Sequence, residues 1–216
     1  MKYDVINSGY CGHNSRDILL RLDDILGQKP DMIILMVGSN DFLNSYNSLS
    51  EAEYAKNLET IICNIKNADI ELILMTLPPC YSPYVLKRHP ESFFTKYGPD
   101  EKICEANAII RGMSQKYDVH LTDINRMLAS KGNIGTGKYS FLRNVANSGD
   151  EDGLHLTAAG YRIIASGIYN EINDRCNIRK IICLGDSITY GIHMKGAGTS
   201  DGTTYPAYLS KLLNHS

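Results

Sequence analysis

The stretch Lys180-Ile-Ile-Cys-Leu-Gly-Asp-Ser-Ile-Thr-Tyr-Gly191 organises the reading of this chain. Ile181 to Leu184 is a continuous apolar run, the pattern of a strand buried on both faces. It breaks at Gly185, presents Asp186 and Ser187, and meets a second glycine at Gly191. A serine on the sharp turn leaving a buried strand is held rigidly. It faces the crevice above the sheet, where backbone N–H groups can receive an oxyanion. That suits a nucleophile. The same residues also suit a strand followed by a polar turn that caps a helix, so the rest of the chain has to decide.

Three further apolar or mixed runs read as strands, each with a polar turn or prolines behind it. Tyr3 to Ile6 runs into Asn7-Ser-Gly-Tyr-Cys-Gly12-His-Asn-Ser15, a tight loop with two glycines three apart. Asp31 to Val37 is followed by Gly38-Ser-Asn-Asp41, and Ile70 to Leu77 by Pro78-Pro79. Val119 to Ile124 is a weaker, more polar fifth strand. Between them, Ser15 to Leu26 reads as a helix with Ile18, Leu19, Leu22, Ile25 and Leu26 on one face, stopped by Gly27. Ser50 opens a helix with a capping box to Glu53 and an apolar face of Tyr54, Leu58, Ile61, Ile62 and Ile65. Asp100 caps a helix reaching about Tyr117. Thr157 caps one whose Tyr161, Ile164, Ala165, Ile168 and Ile172 face inward. A link from Asp174 to Arg179 leads into the Ile181 strand, and Pro206 starts a last helix ending near Leu213.

Five strands alternating with five helices predict an α/β fold with a parallel sheet between helical layers, residues 1–216 forming one domain. The Met32, Ile70 and Ile181 runs are apolar enough for the middle of the sheet; the Tyr3 and Val119 runs suit its edges. The last strand in sequence is therefore expected inside the sheet. Two long connections stand out: the aromatic Cys80 to Pro99, read as a wall of the substrate pocket, and the Gly- and Asn-rich Lys131 to Asp150.

The 216 residues carry a net charge of −2 and no Lys/Arg run longer than two, which argues against a nucleic-acid or membrane-surface partner. No apolar run approaches the ~18 residues of a membrane span. Met1-Lys-Tyr-Asp4 lacks the apolar core of a signal peptide. The six cysteines (Cys11, Cys63, Cys80, Cys104, Cys176, Cys183) are scattered with no CxxC pair. Cys63 and Cys183 read as core residues. Reduced thiols, a cytoplasmic location and no metal are the expectations. The Gly12 loop lacks GxGxxG, so dinucleotide binding is not expected there.

In a parallel sheet, the turns bearing Gly12, Asn40 and Ser187 share one rim. The segment Asp152-Gly-Leu-His155 precedes a helix that packs back from it. Ser187 needs a base, and His155 stands out among six histidines because Asp152 lies three residues before it. Asp152 can accept the Nδ1–H of His155 and so aim Nε2 at Ser187. Asn40 through its side chain, and Gly12 and Ser187 through their backbones, can donate to a tetrahedral oxyanion. Each residue also has a plainer reading: a polar loop for Asp152 and His155, a cap for Asn40, a turn for Gly12. Asp186 and Asp41 read as braces of their turns. His13, His89, His120, His193 and His215 read as surface or satisfied histidines.

Together these blocks resemble the SGNH (GDSL-type) hydrolases. Gly185-Asp-Ser-Ile-Thr189 is similar to the nucleophile block, and Asn7 to Gly12 to the block ending in the oxyanion glycine. Gly38-Ser-Asn-Asp41 is similar to the block of the oxyanion asparagine, and Asp152-Gly-Leu-His155 to the closing Asp-x-x-His. The resemblance spans nearly the whole chain. It implies a flavodoxin-like three-layer α/β/α sandwich on a five-stranded parallel sheet, and ester hydrolysis without metal or cofactor. It departs from the family in one respect: the nucleophile block comes last instead of first. On this resemblance the chain is a circular permutant, with the family's first strand and helix moved to Lys180–Leu213 and the strand second in the sheet.

The function expected is a serine esterase acting on a small-molecule ester, with carbohydrate O-acetyl groups favoured by the polar and aromatic loops. Lysophospholipase or thioesterase activity on longer acyl groups is the alternative within the family. A non-catalytic binding module would be marked by a missing triad or oxyanion residue, and none is missing. A phosphate or flavin site would want a P-loop lysine, absent from Gly185–Gly191. Neither acyl length nor oligomeric state is legible in the sequence.

Overall fold

The computed structural model describes residues 3–94, 96–172 and 177–215. Five parallel strands form one sheet: β1 (Asp4–Gly9), β2 (Met32–Met36), β3 (Glu71–Met75), β4 (His120–Thr122) and β5 (Lys180–Gly185). Their spatial order is β1-β5-β2-β3-β4, with β5 inside the sheet and β1 and β4 at its edges, as strand polarity predicted. Ile181 to Leu184 are fully buried, and burying each large apolar side chain there is worth about 1.5–3 kcal/mol.

The direction of each crossover sorts the helices. From β1 to β2, β2 to β3 and β3 to β4 the chain steps one way, and right-handed connections put the intervening helices on one face. These are α1 (Ser15–Leu20) with α2 (Leu22–Gly27), α4 (Glu51–Asn67) and α6 (Pro99–Tyr117). From β4 to β5 the chain steps back through α9 (Ala158–Ile172), which belongs on the other face with α11 (Tyr205–His215). The packing agrees: α1 lies against α4 and α4 against α6, while α9 lies against α11 and α7 (Ile124–Ser130). The step reverses around β5, so the crevice at the carboxyl ends of β1, β5 and β2 is where a ligand site is expected.

The remaining helices are short: α3 (Ser39–Leu43), α5 (Ser82–Arg88), α8 (Val145–Ser148) and α10 (Ser187–Tyr190), with a 3₁₀ turn at Glu91–Phe94. The apolar faces expected for α4 and α9 are the buried ones.

Several local expectations need correction. The helix expected over Ser15–Leu26 breaks at Arg21 (φ −114°, ψ 7°), where the guanidinium turns inward to the carbonyls of Ser8 and Gly185. Ser50 caps α4 by accepting from Glu53 N–H, but the carboxylate of Glu53 pairs with Arg16 instead of closing a capping box. Gly98, not Asp100, is the N-cap of α6; Asp100 accepts from the Ser82 hydroxyl. The Val119–Ile124 strand is only three residues long, because Asp123 caps α7. Helix α11 begins at Tyr205 and reaches His215. Cys183 is buried, whereas Cys63 is only half-buried. Cys176 and residues 174–176 of the expected link lie outside the described residues.

Candidate active site

Register sets the rim. Gly185 pairs with Gly9 on one side and Met36 on the other, so β1, β5 and β2 end in one row. The row is glycine-bearing because the next turn folds back tightly. A Cβ on Gly185 would lie 2.3 Å from the Met36 carbonyl oxygen, and one on Gly9 2.0 Å from the Tyr190 nitrogen. These two positions let α10 sit directly on the strand ends.

Ser187 is the first residue of α10. Asp186 caps it by accepting from Ile188 N–H at 2.8 Å, and Gly191 closes it in the left-handed conformation (φ 77°). From the α9 face, the Tyr161 hydroxyl donates to the Ile188 carbonyl at 2.9 Å. Asp186 thus braces the turn, as read from the sequence. Burial pushes its carboxyl up to about 6, against the pull of the Ile188 N–H. Its Oδ2 is buried with no hydrogen-bond partner among the described residues.

The Ser187 hydroxyl lies 3.0 Å from His155 Nε2, and His155 Nδ1 lies 2.9 Å from Asp152 Oδ2. Asp152 Oδ1 also accepts from the backbone N–H groups of Leu154 and His155. Burial alone would raise the Asp152 carboxyl. The bond and charge of His155 and these backbone donors outweigh it and hold the group well below the usual carboxylate range.

The segment is fixed from outside as well. Arg143 N–H donates to the His155 carbonyl, Gly153 N–H donates to the Arg143 carbonyl, and Leu142 bridges Leu156. The Gly-rich 131–150 connection therefore holds the histidine's backbone. The aromatic connection takes part too, since Tyr81 N–H donates to the Gly153 carbonyl at 2.7 Å. Gly153 has φ 69°, a conformation that favours glycine.

On the opposite side, Gly12 is exposed with φ 81°, and its carbonyl is fixed by Asn47 Nδ2 at 2.7 Å. Tyr10 N–H donates to the Gly185 carbonyl, tying this loop to the nucleophile turn. Asn40 sends one side-chain N–H to the His13 carbonyl at 2.9 Å and keeps the other. Neither Gly12 N–H nor Ser187 N–H has an acceptor among the described residues. Asp41 braces a turn, its buried carboxylate receiving the Ser15 N–H and hydroxyl.

The four sequence blocks thus meet on one rim. The GDSL-like lipase/acylhydrolase family profile matches residues 1–163, which hold the glycine, asparagine and Asp-x-x-His blocks. The chain belongs to that family. With membership comes carboxylic ester hydrolysis as its class of chemistry. A Bacillus subtilis (strain 168) protein, the uncharacterized lipoprotein YqeF, is 28% identical over 177 residues, covering 76% of this chain and 72% of its own length. Among solved structures, the Enterococcus faecalis lipase/acylhydrolase superposes with a TM-score of 0.59 at 22% identity, over 76% of this chain and 72% of that one. Axe2, an acetylxylan esterase from Geobacillus stearothermophilus, does so with a TM-score of 0.54 at 21% identity, over 74% and 68%. These likenesses bear on the fold. No described helix is long and apolar enough to cross a membrane.

Three site neighbours escaped the sequence reading. Arg88 Nη1 lies 3.6 Å and Arg143 Nε 3.7 Å from the two oxygens of Asp152. The His193 ring packs edge-on against His155, centroids 5.9 Å apart. The arginines come from the two long connections, and His193 follows the nucleophile by six residues, a spacing with no periodic signature.

Proposed function

We propose that this esterase removes short acyl groups, carbohydrate O-acetyl groups foremost, with Ser187 as nucleophile, His155 as base and Asp152 as its orienting anion. The observation that carries the reading is the unbroken chain from the Ser187 hydroxyl through His155 to Asp152, at 3.0 and 2.9 Å. Ser187 attacks the ester carbonyl as His155 takes its proton. The charge on the carbonyl oxygen is met by the N–H groups of Ser187, Gly12 and the free amide hydrogen of Asn40. His155 returns the proton to the leaving alcohol, then draws one from the water that clears the acyl-enzyme. Asp152, held ionised, fixes the tautomer and stabilises the imidazolium.

An exposed ring supports a sugar as leaving group: Tyr46 (86% exposed) adjoins the Asn47 that binds the Gly12 carbonyl, and an aromatic face beside this loop offers stacking surface for a pyranose. Acetylated xylo-oligosaccharide assayed against p-nitrophenyl esters of rising chain length tests this. Highest kcat/KM on the acetylated sugar and on the acetyl ester supports the reading; a rise with chain length overturns it in favour of a long-acyl lipase.

We infer also that residues 1–216 form one SGNH unit in circularly permuted order. In support, β5 lies between β1 and β2, and the family match ends at residue 163, before the nucleophile turn. At the seam, Asn214 accepts from Tyr3 N–H and donates to the Tyr3 carbonyl, at 2.8 and 3.1 Å, so α11 leads directly to the start of β1. The rival is an exchange of residues 180–215 between two chains. Co-refolding a Ser187→Ala chain with a His155→Ala chain separates them: assembly within one chain predicts no recovered activity, and substantial recovery would establish the exchange.

A further inference from the structure

His193 has no part in the chemistry just described, yet its placement is tightly specified. Ile192 N–H donates to the Ser187 carbonyl at 3.2 Å and Met194 N–H to the Gly191 carbonyl at 3.0 Å, so hydrogen bonds bracket the residue on both sides. Between them His193 adopts φ 68°, a left-handed conformation that costs energy for a residue with a Cβ. Farther along the same loop, Asn7 Nδ2 donates to the carbonyls of Tyr190 and Thr199, anchoring the loop to β1. The result is an exposed imidazole standing over the Asp152–His155 pair. One ligating atom from each of Asp152, His155 and His193 lies within 4.8 Å of the other two.

We propose that Asp152, His155 and His193 capture a divalent transition-metal ion, Zn²⁺ being the best fit, and that capture reversibly switches the hydrolase off. Two imidazoles and one carboxylate make a donor set for zinc, not for magnesium or calcium, and three protein ligands leave the fourth tetrahedral position to water. Metal–ligand bonds of about 2.0–2.2 Å put neighbouring donors roughly 3.3–3.6 Å apart. The His155 Nδ1–Asp152 Oδ2 separation of 2.9 Å must therefore open by about half an ångström to admit the ion, and the exposed His193 side chain is the member free to approach it. Asp152 is already an anion. Arg88 and Arg143, each within 4 Å of it, weaken its pull on a cation, so the expected Kd is roughly micromolar, far weaker than structural zinc sites.

With Asp152 as co-ligand the ion sits on His155 Nδ1, in place of the bond to Asp152. The one proton of the neutral ring is then on Nε2, where it occupies the lone pair that would receive the Ser187 proton. The inhibitory half of the proposal rests on His155 being the base, whereas the binding half does not. The test therefore has two readouts. Wild type and His193→Asn, a variant chosen because asparagine tolerates positive φ, are titrated with Zn²⁺ by calorimetry and with Co²⁺ by visible absorbance. Each is also assayed on p-nitrophenyl acetate with Zn²⁺ and then with EDTA. The wild type should bind one ion per chain, show the intense bands of tetrahedral Co²⁺, lose activity on saturation and regain it with chelator. His193→Asn should keep its metal-free rate within about twofold and bind at least about tenfold more weakly, as loss of one ligand requires. No binding by the wild type, or equal binding by the variant, overturns the site. Binding without loss of turnover overturns the switch. Absence of turnover in metal-free wild type counts against the esterase reading and leaves the binding comparison decisive for the site.

Discussion

Asp152 has both oxygens engaged, by the His155 ring and by two backbone N–H groups, and His155 in turn reaches Ser187. The neighbouring donors are unmet instead: Gly12 N–H and Ser187 N–H have no acceptor among the described residues, and Asn40 spends only one of its two amide hydrogens. One half of the rim is closed on itself; the other ends in unmet hydrogen-bonding capacity. That is the division acyl transfer calls for. On the proposed function, the proton-transfer chain is assembled before substrate arrives, while the oxyanion donors are satisfied only as negative charge develops.

The comparison breaks first at Ser187. Ser187→Ala should lower kcat on the order of 10⁶-fold, leaving only what the oxyanion donors and binding supply. A variant within tenfold of wild type on p-nitrophenyl acetate would remove the closed half from the chemistry. Asp152→Asn keeps the shape of that half but reverses a hydrogen bond. By analogy with other triads it should cost about 10⁴ in kcat, with His155 held in the wrong tautomer. Steady-state rates showing less than a tenfold loss would mean that the backbone alone orients the ring.

The open half should respond more gently. Asn40→Ala should lower kcat by roughly 10²–10³ with KM little changed, because its bond strengthens only in the transition state. A change confined to KM would make Asn40 a substrate-binding residue.

The smallest effect concerns the brace beneath the nucleophile. Asp186 is raised from 3.8 to about 6 by burial, so between those values the folded chain binds more protons than the unfolded one. Its contribution to stability is therefore lost as pH rises from about 4 to about 6, and amounts to roughly 3 kcal/mol for a shift of this size. Asp186→Asn keeps the cap and removes the charge. Thermal melts should show the variant gaining on wild type across that window and holding its advantage at pH 7; a constant difference at all pH values would mean that Asp186 is ionised throughout.

How much of this was legible follows from the range of each signal. Ile181 to Leu184 announced an interior strand, because a run buried on both faces needs no periodicity to be seen. The faces of α4 and α9 followed from helical spacing. The short α3, α5, α8 and α10 did not, since segments of four to seven residues carry too little pattern. The break at Arg21 came from a guanidinium seeking the Ser8 and Gly185 carbonyls, the second of them 164 positions away in sequence. At the site, Asp152 and His155 were readable because their spacing is local. Arg88 and His193 reach Asp152 or His155 only through the pairing of distant loops, and Arg143 reaches Asp152 because its own segment folds back on it, a contact with no periodic signature.

The most direct test of the central claim is covalent labelling with a fluorophosphonate, followed by peptide mass mapping of wild type and His155→Ala. Stoichiometric labelling at Ser187 alone, slowed severely in the His155 variant, is the result the structure predicts. Labelling at another residue, or at Ser187 with equal speed in both chains, would contradict a serine activated by this histidine.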